Sequence, residues 1–180
     1  MRYLKYVTFV VVALLSIAIG SAQEATGIRF FKGSFAEAQA EAQRQGKPLF
    51  VDFYATWCVP CKKMEKTIFT QPEVGAFFNA KFINLQLDAE APENVEIAKK
   101  YKVEAFPTLG IIASDGKAIQ INVGFMKADE LLEMAKTAVG EVKGFDDLYK
   151  EYRAQPNDLK IQQELLTMAP RFLTTQDGMD

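Results

Sequence analysis

A strand that runs directly into a pair of cysteines constrains the fold more than any other part of the chain. Residues 49–55 form an apolar run, broken by Asp52, with the length and composition of a central strand covered on both faces. Cys58 and Cys61, the only cysteines, follow at once and fit the first turn of a helix, where positions three apart lie on one face. The sequence therefore predicts a strand, a turn and a helix that hold two thiols within reach of each other.

The helix that carries the cysteines has an orientation that its own spacing predicts. Cys61, Met64 and Ile68 recur at i, i+3 and i+7 and form one apolar stripe, so Cys61 is expected to face the core. Cys58 lies one turn earlier, where unpaired backbone N–H groups and the helix dipole favour the thiolate. We therefore expect Cys58 to be the exposed and reactive thiol.

Asp52 is the carboxylate in the middle of the predicted central strand. A carboxylate in such a position is costly unless it is paired or used, and loss of water should raise its pKa above the ordinary value. The alternative is that this face of the strand opens to water and that Asp52 is merely solvated.

Two cysteines with two residues between them also admit a static disulfide or a zinc site. A disulfide that closes so short a loop constrains the unfolded chain little, which favours redox work over a structural role. A structural zinc site needs four ligands, and this chain has two cysteines and no histidine. We predict a dithiol that opens and closes, with no metal and no cofactor other than the redox-active disulfide Cys58–Cys61.

Residues 1–22 have the layout of a secretory signal. Arg2 and Lys5 precede an apolar run from Val7 to Ile19, which small residues follow. The run is shorter than the roughly 20 residues of a membrane-spanning helix, so we expect cleavage after Ala22 and a periplasmic or secreted protein. An uncleaved membrane anchor is the alternative. The net charge of the full chain is −2, and loss of the two basic residues would make it more acidic, which argues against nucleic acid as a partner.

The rest of the chain alternates between helices and strands. Ser34 and Glu37 are spaced as a capping box, and Gly46 suits the end of the helix that they begin. Pro72 suits the first turn of another helix, and residues 114–117 form a turn between two strands. The predicted elements are a possible strand at 28–31, a helix at 34–45, a strand at 82–88, a short helix at 93–101, a strand ending at Ile112, a strand at 118–123 and a helix at 127–139.

Two further helices are predicted near the C-terminus. Residues 145–152 carry apolar side chains at helical spacing, residues 155–158 form a break, and residues 159–168 form a second helix that Pro170 ends. Packing against the preceding unit is the first interpretation of this helical hairpin. A surface for a protein partner, at residues 145–180, is the alternative.

Several of these stretches together resemble the thioredoxin-like family. Val51–Lys62 is similar to the active-site stretch of that family, and Phe106–Thr108 is similar to its cis-proline segment. Trp57–Lys66, Thr70–Val74 and Gly124–Met126 resemble most closely the C-terminal periplasmic domain of the thiol:disulfide interchange protein DsbD and its stand-alone relatives. The resemblance implies an α/β protein with the thioredoxin fold, a central mixed β-sheet flanked by helices, here with a C-terminal helical extension.

The resemblance also implies a role for individual residues. Cys58 would be the nucleophile that forms a mixed disulfide, and Cys61 would be the resolving thiol that releases it. Asp52 would accept and return the proton of Cys61. Trp57 would shield the thiolate, and Pro107 would lie against the dithiol as a cis peptide that leaves the neighbouring backbone free for an extended substrate segment. The implied substrate-binding residues are Trp57, Pro60, Phe106 and Pro107.

Two departures from the family pattern bear on function. Thioredoxins carry a lysine near the buried aspartate on the next strand, and the alignment puts Asn84 there, so the pKa of Asp52 need not be tuned as theirs is. The chain has no histidine, which excludes the Cys-x-His-Cys pattern of strongly oxidising and isomerising members. Val59 and Pro60 therefore argue for a reducing or intermediate protein.

The prediction is an extracytoplasmic thiol:disulfide oxidoreductase that reduces protein disulfides through its Cys-Val-Pro-Cys dithiol. A disulfide oxidase or isomerase on the same fold, or a non-catalytic interaction module that uses the helical tail, is the alternative. We divide the chain into a signal peptide (1–22), a thioredoxin-like domain (23–142) and a helical extension (143–180). The expected partners are oxidised protein substrates and an upstream thiol reductant, with membrane contact only if the N-terminal segment is uncleaved.

Overall fold

A four-stranded mixed sheet forms the centre of the protein in a computed structural model that describes residues 27–176. The strand order is β2-β1-β3-β4, in which β1 runs parallel to β2 and antiparallel to β3, and β4 runs antiparallel to β3. The strands are β1 (Leu49–Tyr54), β2 (Ile83–Asp88), β3 (Thr108–Ile112) and β4 (Ala118–Val123). The helices are α1 (Phe35–Gln45), α2 (Val59–Thr67), α3 (Pro72–Lys81), α4 (Val95–Lys100), α5 (Ala128–Ala138), α6 (Phe145–Ala154) and α7 (Leu159–Gln176).

Most element boundaries lie within two residues of the predicted ones, because the local signals were strong. The Ser34 hydroxyl accepts a hydrogen bond from the backbone N–H of Glu37, whose carboxylate in turn accepts from the N–H of Ser34. Gly46 ends α1 with a φ of 63°, which costs glycine least. The predicted fold class, a thioredoxin-like mixed sheet flanked by helices, is confirmed.

The apolar run at β1 is explained by its place in the sheet. β1 has a paired strand on each side, and helices cover both faces of the sheet, so alternate side chains enter two separate cores. One core lies under α1 and α4 and the other under α2, α3 and α5. The first core includes Phe35, Ala38, Val51, Phe53, Leu85 and Ala98. The second includes Phe50, Met64, Phe78, Leu109 and Leu131.

The segment predicted as a possible first strand is not one. Phe30 makes a single isolated bridge to Asn84, and the N–H of Phe31 donates to the Asn84 carbonyl over 2.7 Å. The N–H of Ile28 donates instead to the carbonyl of Phe69, at the end of α2, over 2.6 Å. Because its backbone bonds go to two different elements, this segment cannot extend along the sheet.

The two C-terminal helices pack against each other as a hairpin, with Leu148 buried and Tyr149 half exposed. The prediction that Pro170 ends the second helix is wrong, because α7 continues to Gln176. Proline removes one backbone donor and disfavours the helix at that point, and this helix continues past it. Within residues 27–176 no helix is both long and apolar enough to cross a bilayer. The predicted signal at residues 1–22 lies outside the described residues.

Candidate active site

β1 ends shortly before the N-terminus of α2, where the two cysteines form a disulfide. Cys58 is the N-cap residue of α2, and its Cα lies 5.4 Å from that of Cys61. The backbone N–H of Cys61 donates to Sγ of Cys58 over 3.1 Å. Pro60, which is exposed, stands in the first turn, where a missing N–H costs the helix nothing. The end of β1 and the start of α2 therefore bring the two sulfurs together.

Burial of the two cysteines differs from the expectation in one respect. Cys61 and Met64 face inward as their spacing predicted. Cys58 was expected to be exposed, and this is wrong for the disulfide form, in which only 2% of Cys58 is accessible. The reason is tertiary: Cys58 packs in a small apolar cluster with Ala55 and Phe106, and sequence spacing along α2 contains no information about either contact.

An exposed aromatic residue flanks the disulfide and is held in place from two directions. Trp57 is 64% exposed, yet its indole Nε1–H donates to the Glu90 carboxylate over 2.8 Å. Its ring also meets Phe106 edge to face, with centroids 5.9 Å apart. Glu90 itself lies in the turn after β2, where its N–H donates to the Asp88 carboxylate over 3.1 Å. Sequence reasoning missed Glu90 because no local pattern links this turn to Trp57.

The segment opposite the disulfide is the predicted proline turn. The peptide bond between Phe106 and Pro107 is cis, as the resemblance implied. Pro107 is buried, and its carbonyl accepts from the N–H of Gly124 over 2.7 Å, which ties this turn to the end of β4. Thr108 donates through its hydroxyl to the Ala105 carbonyl over 2.7 Å. The structure thus packs Phe106, distant in sequence, against the cysteine pair, and Pro107 follows it in the chain.

Phe125 extends the apolar surface next to this turn and was not predicted. The residue is 37% exposed, and the ammonium group of Lys63 lies 5.0 Å from the centre of its ring. This cation–π contact joins the loop after β4 to α2. Val59, which is 74% exposed, adds a further apolar side chain beside Cys58. A hydrophobic rim therefore surrounds one side of the disulfide.

Asp52 lies on the other side, below Cys61, and is 2% exposed. Its Oδ2 accepts a hydrogen bond from the Gln86 amide over 3.2 Å, whereas its Oδ1 is buried without a hydrogen-bond partner among the described residues. Burial raises the pKa of Asp52 to about 7, the Gln86 hydrogen bond opposes that rise, and the negative charge of Glu65 adds to it. The predicted direction of the pKa shift is confirmed, and the solvated alternative is wrong.

The neighbour of Asp52 on the next strand is Gln86 and not Asn84. In the parallel pairing of β1 with β2, Asp52 lies opposite Gln86, and Phe50 lies opposite Asn84. The Asn84 amide donates to the carbonyls of Arg29 and Phe78, both over 3.4 Å, and so faces away from the site. The alignment misplaced this contact because it compares positions along the chain and contains no information about the register between strands.

A pocket of about 120 Å³ connects Asp52 and Cys61 to exposed side chains. Glu65 and Lys62, both exposed, stand at its outer edge, so the buried carboxyl group has a route to solvent. Partial burial, followed by the negative charges of Asp88, Asp52 and Glu65, raises the pKa of Tyr54 at the same pocket. The lining residues are Asp52, Tyr54, Ala55, Thr56, Cys61, Lys62, Glu65 and Gln86.

The arrangement suits reversible thiol–disulfide exchange. One cysteine is at a helix N-terminus, which favours its thiolate, and the other lies at a pocket with a carboxyl group that titrates near neutral pH. Exchange needs an attacking thiolate, a leaving thiolate and a group that manages the proton of the second thiol. All three are available around Cys58, Cys61 and Asp52.

Comparison with known proteins agrees with this chemistry. A family model described as a thioredoxin-like domain matches residues 35–138. The thiol:disulfide interchange protein DsbD of Neisseria meningitidis serogroup A is 36% identical over 88 residues, which are 48% of this chain. The match spans 15% of the length of that curated relative, and the other curated relatives are spanned to a similar extent.

Two solved structures are similar over most of their own length. A putative disulphide-isomerase from Bacteroides thetaiotaomicron is 45% identical with a TM-score of 0.59, covering 67% of this chain and 98% of that one. The oxidised C-terminal domain of Neisseria meningitidis DsbD is 29% identical with a TM-score of 0.52, covering 61% of this chain and 99% of that domain. The chain belongs to the thioredoxin-like family.

Proposed function

We propose that this protein reduces protein disulfides outside the cytoplasm through the Cys58–Cys61 dithiol. The observation that carries the proposal is the asymmetry around the disulfide: a hydrophobic rim with Trp57 on one side, and the buried carboxyl group of Asp52 on the other. A protein substrate needs an apolar surface to bind to, and a resolving thiol needs a nearby group that accepts its proton. The reaction requires no cofactor besides the dithiol itself.

In the first step the Cys58 thiolate attacks a substrate disulfide. A bond forms between Sγ of Cys58 and one substrate sulfur, the substrate S–S bond breaks, and the second substrate sulfur leaves as a thiolate. The N–H of Cys61, which points at Sγ of Cys58, and the N-terminus of α2 stabilise the attacking thiolate. Trp57, Pro60, Phe106 and Pro107 contact the substrate around the mixed disulfide.

In the second step Cys61 resolves the mixed disulfide. Asp52 accepts the thiol proton of Cys61, whose thiolate then attacks Sγ of Cys58 and releases the remaining substrate sulfur. Two electrons have then passed from the dithiol to the substrate, and the Cys58–Cys61 disulfide has formed. Asp52 returns its proton to water through the pocket, and a thiol reductant regenerates the dithiol.

The direction of electron flow rests on the residues between the cysteines. Pro60 stands where the Cys-x-His-Cys pattern of strongly oxidising and isomerising family members places a histidine, and Val59 precedes it. A second candidate, disulfide isomerisation, is supported by the 45% identity to the putative disulphide-isomerase from Bacteroides thetaiotaomicron. The two candidates predict different redox potentials for the same cysteine pair.

The proposed location and partners rest on the sequence. The layout of residues 1–22 supports export, and the likeness to DsbD supports an upstream thiol reductant and oxidised protein substrates. We propose a thioredoxin-like domain over 23–142 and a helical extension over 143–180, which offers a surface for a protein partner. Mass spectrometry of the exported protein would test cleavage after Ala22.

The test of the proposed function is insulin reduction with dithiothreitol as the electron source. The wild type should accelerate insulin precipitation, Cys58→Ser should reduce the rate to background, and Cys61→Ser should accumulate a mixed disulfide on Cys58. The redox potential should lie closer to about −270 mV than to about −120 mV. A potential at the oxidising end, together with refolding of a substrate with scrambled disulfides, would indicate isomerisation or oxidation as the function instead of reduction.

A further inference from the structure

Among residues 27–176, the contact with Gln86 is the single hydrogen bond to the buried carboxyl group of Asp52. Both residues stand on adjacent parallel strands at matching positions, and the Gln86 amide Nε2–H donates to Oδ2 of Asp52 over 3.2 Å. The second oxygen, Oδ1, is buried but has no partner within the described part of the chain. The two oxygens of one carboxyl group therefore have different surroundings.

We propose that Gln86 is a positioning residue that assigns the two oxygens of Asp52 separate roles, keeping Oδ2 as an acceptor and leaving Oδ1 to exchange the proton with Cys61. The inference rests on the proposed function, because it deepens the role of Asp52 in the second step. Gln86 itself touches neither sulfur nor substrate in this role.

The chemistry of the amide carries the assignment. An N–H group can only donate, so the oxygen that it contacts must present a lone pair in both the ionised and the protonated acid. The proton of the neutral acid is then borne by Oδ1. An amide in the opposite orientation would present Oε1 to Asp52, would accept a proton from Oδ2 and would favour the neutral acid. The two orientations thus predict opposite effects when the amide is removed.

The pocket offers the proton on Oδ1 a route to solvent. Asp52, Gln86 and Cys61 all line it, and it reaches exposed side chains at its outer edge. A proton taken from the Cys61 thiol, R–SH + –COO⁻ → R–S⁻ + –COOH, can leave to water by the same route. Because Gln86 is uncharged, it orients the carboxyl group without fixing a cation beside it, and so permits both protonation states.

Four other titratable residues line the pocket, on two elements. Glu65 and Lys62 stand on α2 at the outer edge and are exposed, and Tyr54 lies at the end of β1. Cys61, also on α2, titrates only in the reduced form. The charges of Glu65 and Lys62 oppose each other and are screened by water, whereas the Gln86 contact is partly buried.

The experiment compares Gln86→Leu, Gln86→Lys and the control Gln120→Leu. Gln120 is a half-buried glutamine on β4, outside the pocket, so it receives the same change without touching Asp52. Carbon-13 NMR of carboxyl groups in the disulfide form follows the titration of Asp52 without reference to activity. Leucine should raise the midpoint by about one pH unit, and lysine should lower it by about one pH unit or more. The control should leave it unchanged.

The pH dependence of insulin reduction provides the second readout, and its midpoint should move with that of Asp52 in each variant. Unchanged NMR midpoints, or a lower midpoint in Gln86→Leu, would overturn the proposal, the latter because it indicates the opposite amide orientation. If the NMR midpoints move as expected but the activity profiles do not, the role of Asp52 in the proposed function fails instead. Gln86→Lys keeps the test valid if Gln86→Leu does not fold.

Discussion

The two sides of the Cys58–Cys61 disulfide differ in almost every physical property. The aromatic side is the hydrophobic rim of Trp57, Val59, Phe106 and Phe125, whose side chains range from half-buried to exposed. The carboxyl side consists of Asp52, Gln86 and the pocket beside Cys61, where the ionisable group is almost inaccessible. The first is held by ring contacts and the Glu90 hydrogen bond, and the second by the pairing of two parallel strands.

This difference separates two tasks that a thiol exchanger must perform. Exposed apolar groups gain most when a partner covers them, so the aromatic side should govern how well a substrate binds. A buried carboxyl group interacts strongly with its few neighbours because water is excluded, so the carboxyl side should govern the pH dependence of proton transfer. Substitutions on the two sides should therefore change different measurements.

The largest expected effect is on stability, from Asp52→Asn. The folded-state pKa of Asp52 is raised from 3.8 to about 7, so its favourable contribution is fully present below about pH 4 and is lost as the pH rises to about 7. Asparagine, which stays neutral, should increase the free energy of unfolding by up to about 4 kcal/mol at pH 8 and by little at pH 4. Urea unfolding of the disulfide form at both values measures this.

Trp57→Ala supplies the matched comparison for that experiment. Because Trp57 is 64% exposed, its removal should change the free energy of unfolding by less than about 1 kcal/mol at either pH. An equal stability gain in both variants, or no pH dependence in Asp52→Asn, would contradict the contrast between a buried and an exposed side.

The second effect is on turnover, again from Asp52→Asn. Without a proton acceptor beside Cys61, resolution of the mixed disulfide should slow by roughly 10²-fold at pH 7. Insulin reduction and trapping of the mixed disulfide both measure this step. Asp129→Asn, which removes an exposed carboxylate at the start of α5, serves as the control and should retain the wild-type rate. Slow formation of the mixed disulfide in Asp52→Asn would contradict this prediction, because that step depends on Cys58 and not on Cys61.

The sequence anticipated what depends on local spacing. The Ser34–Glu37 box located the start of α1, and the stripe through Met64 indicated that Cys61 faces the core. An aspartate in an apolar run was enough to predict a raised pKa, because burial is the largest cause of that shift. Each of these inferences uses residues within one helix or one strand.

What the sequence could not show depends on contacts between distant segments. Gln86 rather than Asn84 meets Asp52 because of the register between two strands, and Cys58 is buried because Phe106 folds over it. Glu90 accepts a hydrogen bond from Trp57, 33 positions away in sequence, and no local pattern around either residue predicts this contact. Residues such as Asp52 and Trp57 could therefore be proposed from their type and position, whereas Gln86 and Glu90, which hydrogen-bond to them, could not.

The third effect concerns the aromatic side. Trp57→Ala should lower kcat/KM for insulin by about tenfold through a weaker encounter complex, because a large exposed apolar group is lost. Glu90→Ala should lower it about threefold, since Trp57 stays but loses the acceptor of its indole N–H, and Glu90→Gln should be close to wild type. Initial rates over a range of insulin concentrations measure this. A shifted pH profile in Trp57→Ala would break the separation of the two sides.

The smallest effect tests where the carboxyl side ends. Burial is the main reason that the pKa of Asp52 is raised, but the negative charge of Glu65 at the pocket edge adds to it. Glu65→Gln should therefore lower the titration midpoint of Asp52 by a few tenths of a pH unit, and about 1 M salt should remove most of the difference, because Glu65 is exposed and screened. Lys66→Gln, on the same helix but outside the pocket lining, should leave the midpoint unchanged. A larger shift of the midpoint in Glu65→Gln than in Gln86→Leu, still present at high salt, would mean that the exposed edge of the pocket controls the proton. The distinction between a buried carboxyl side and an exposed aromatic side would then be wrong.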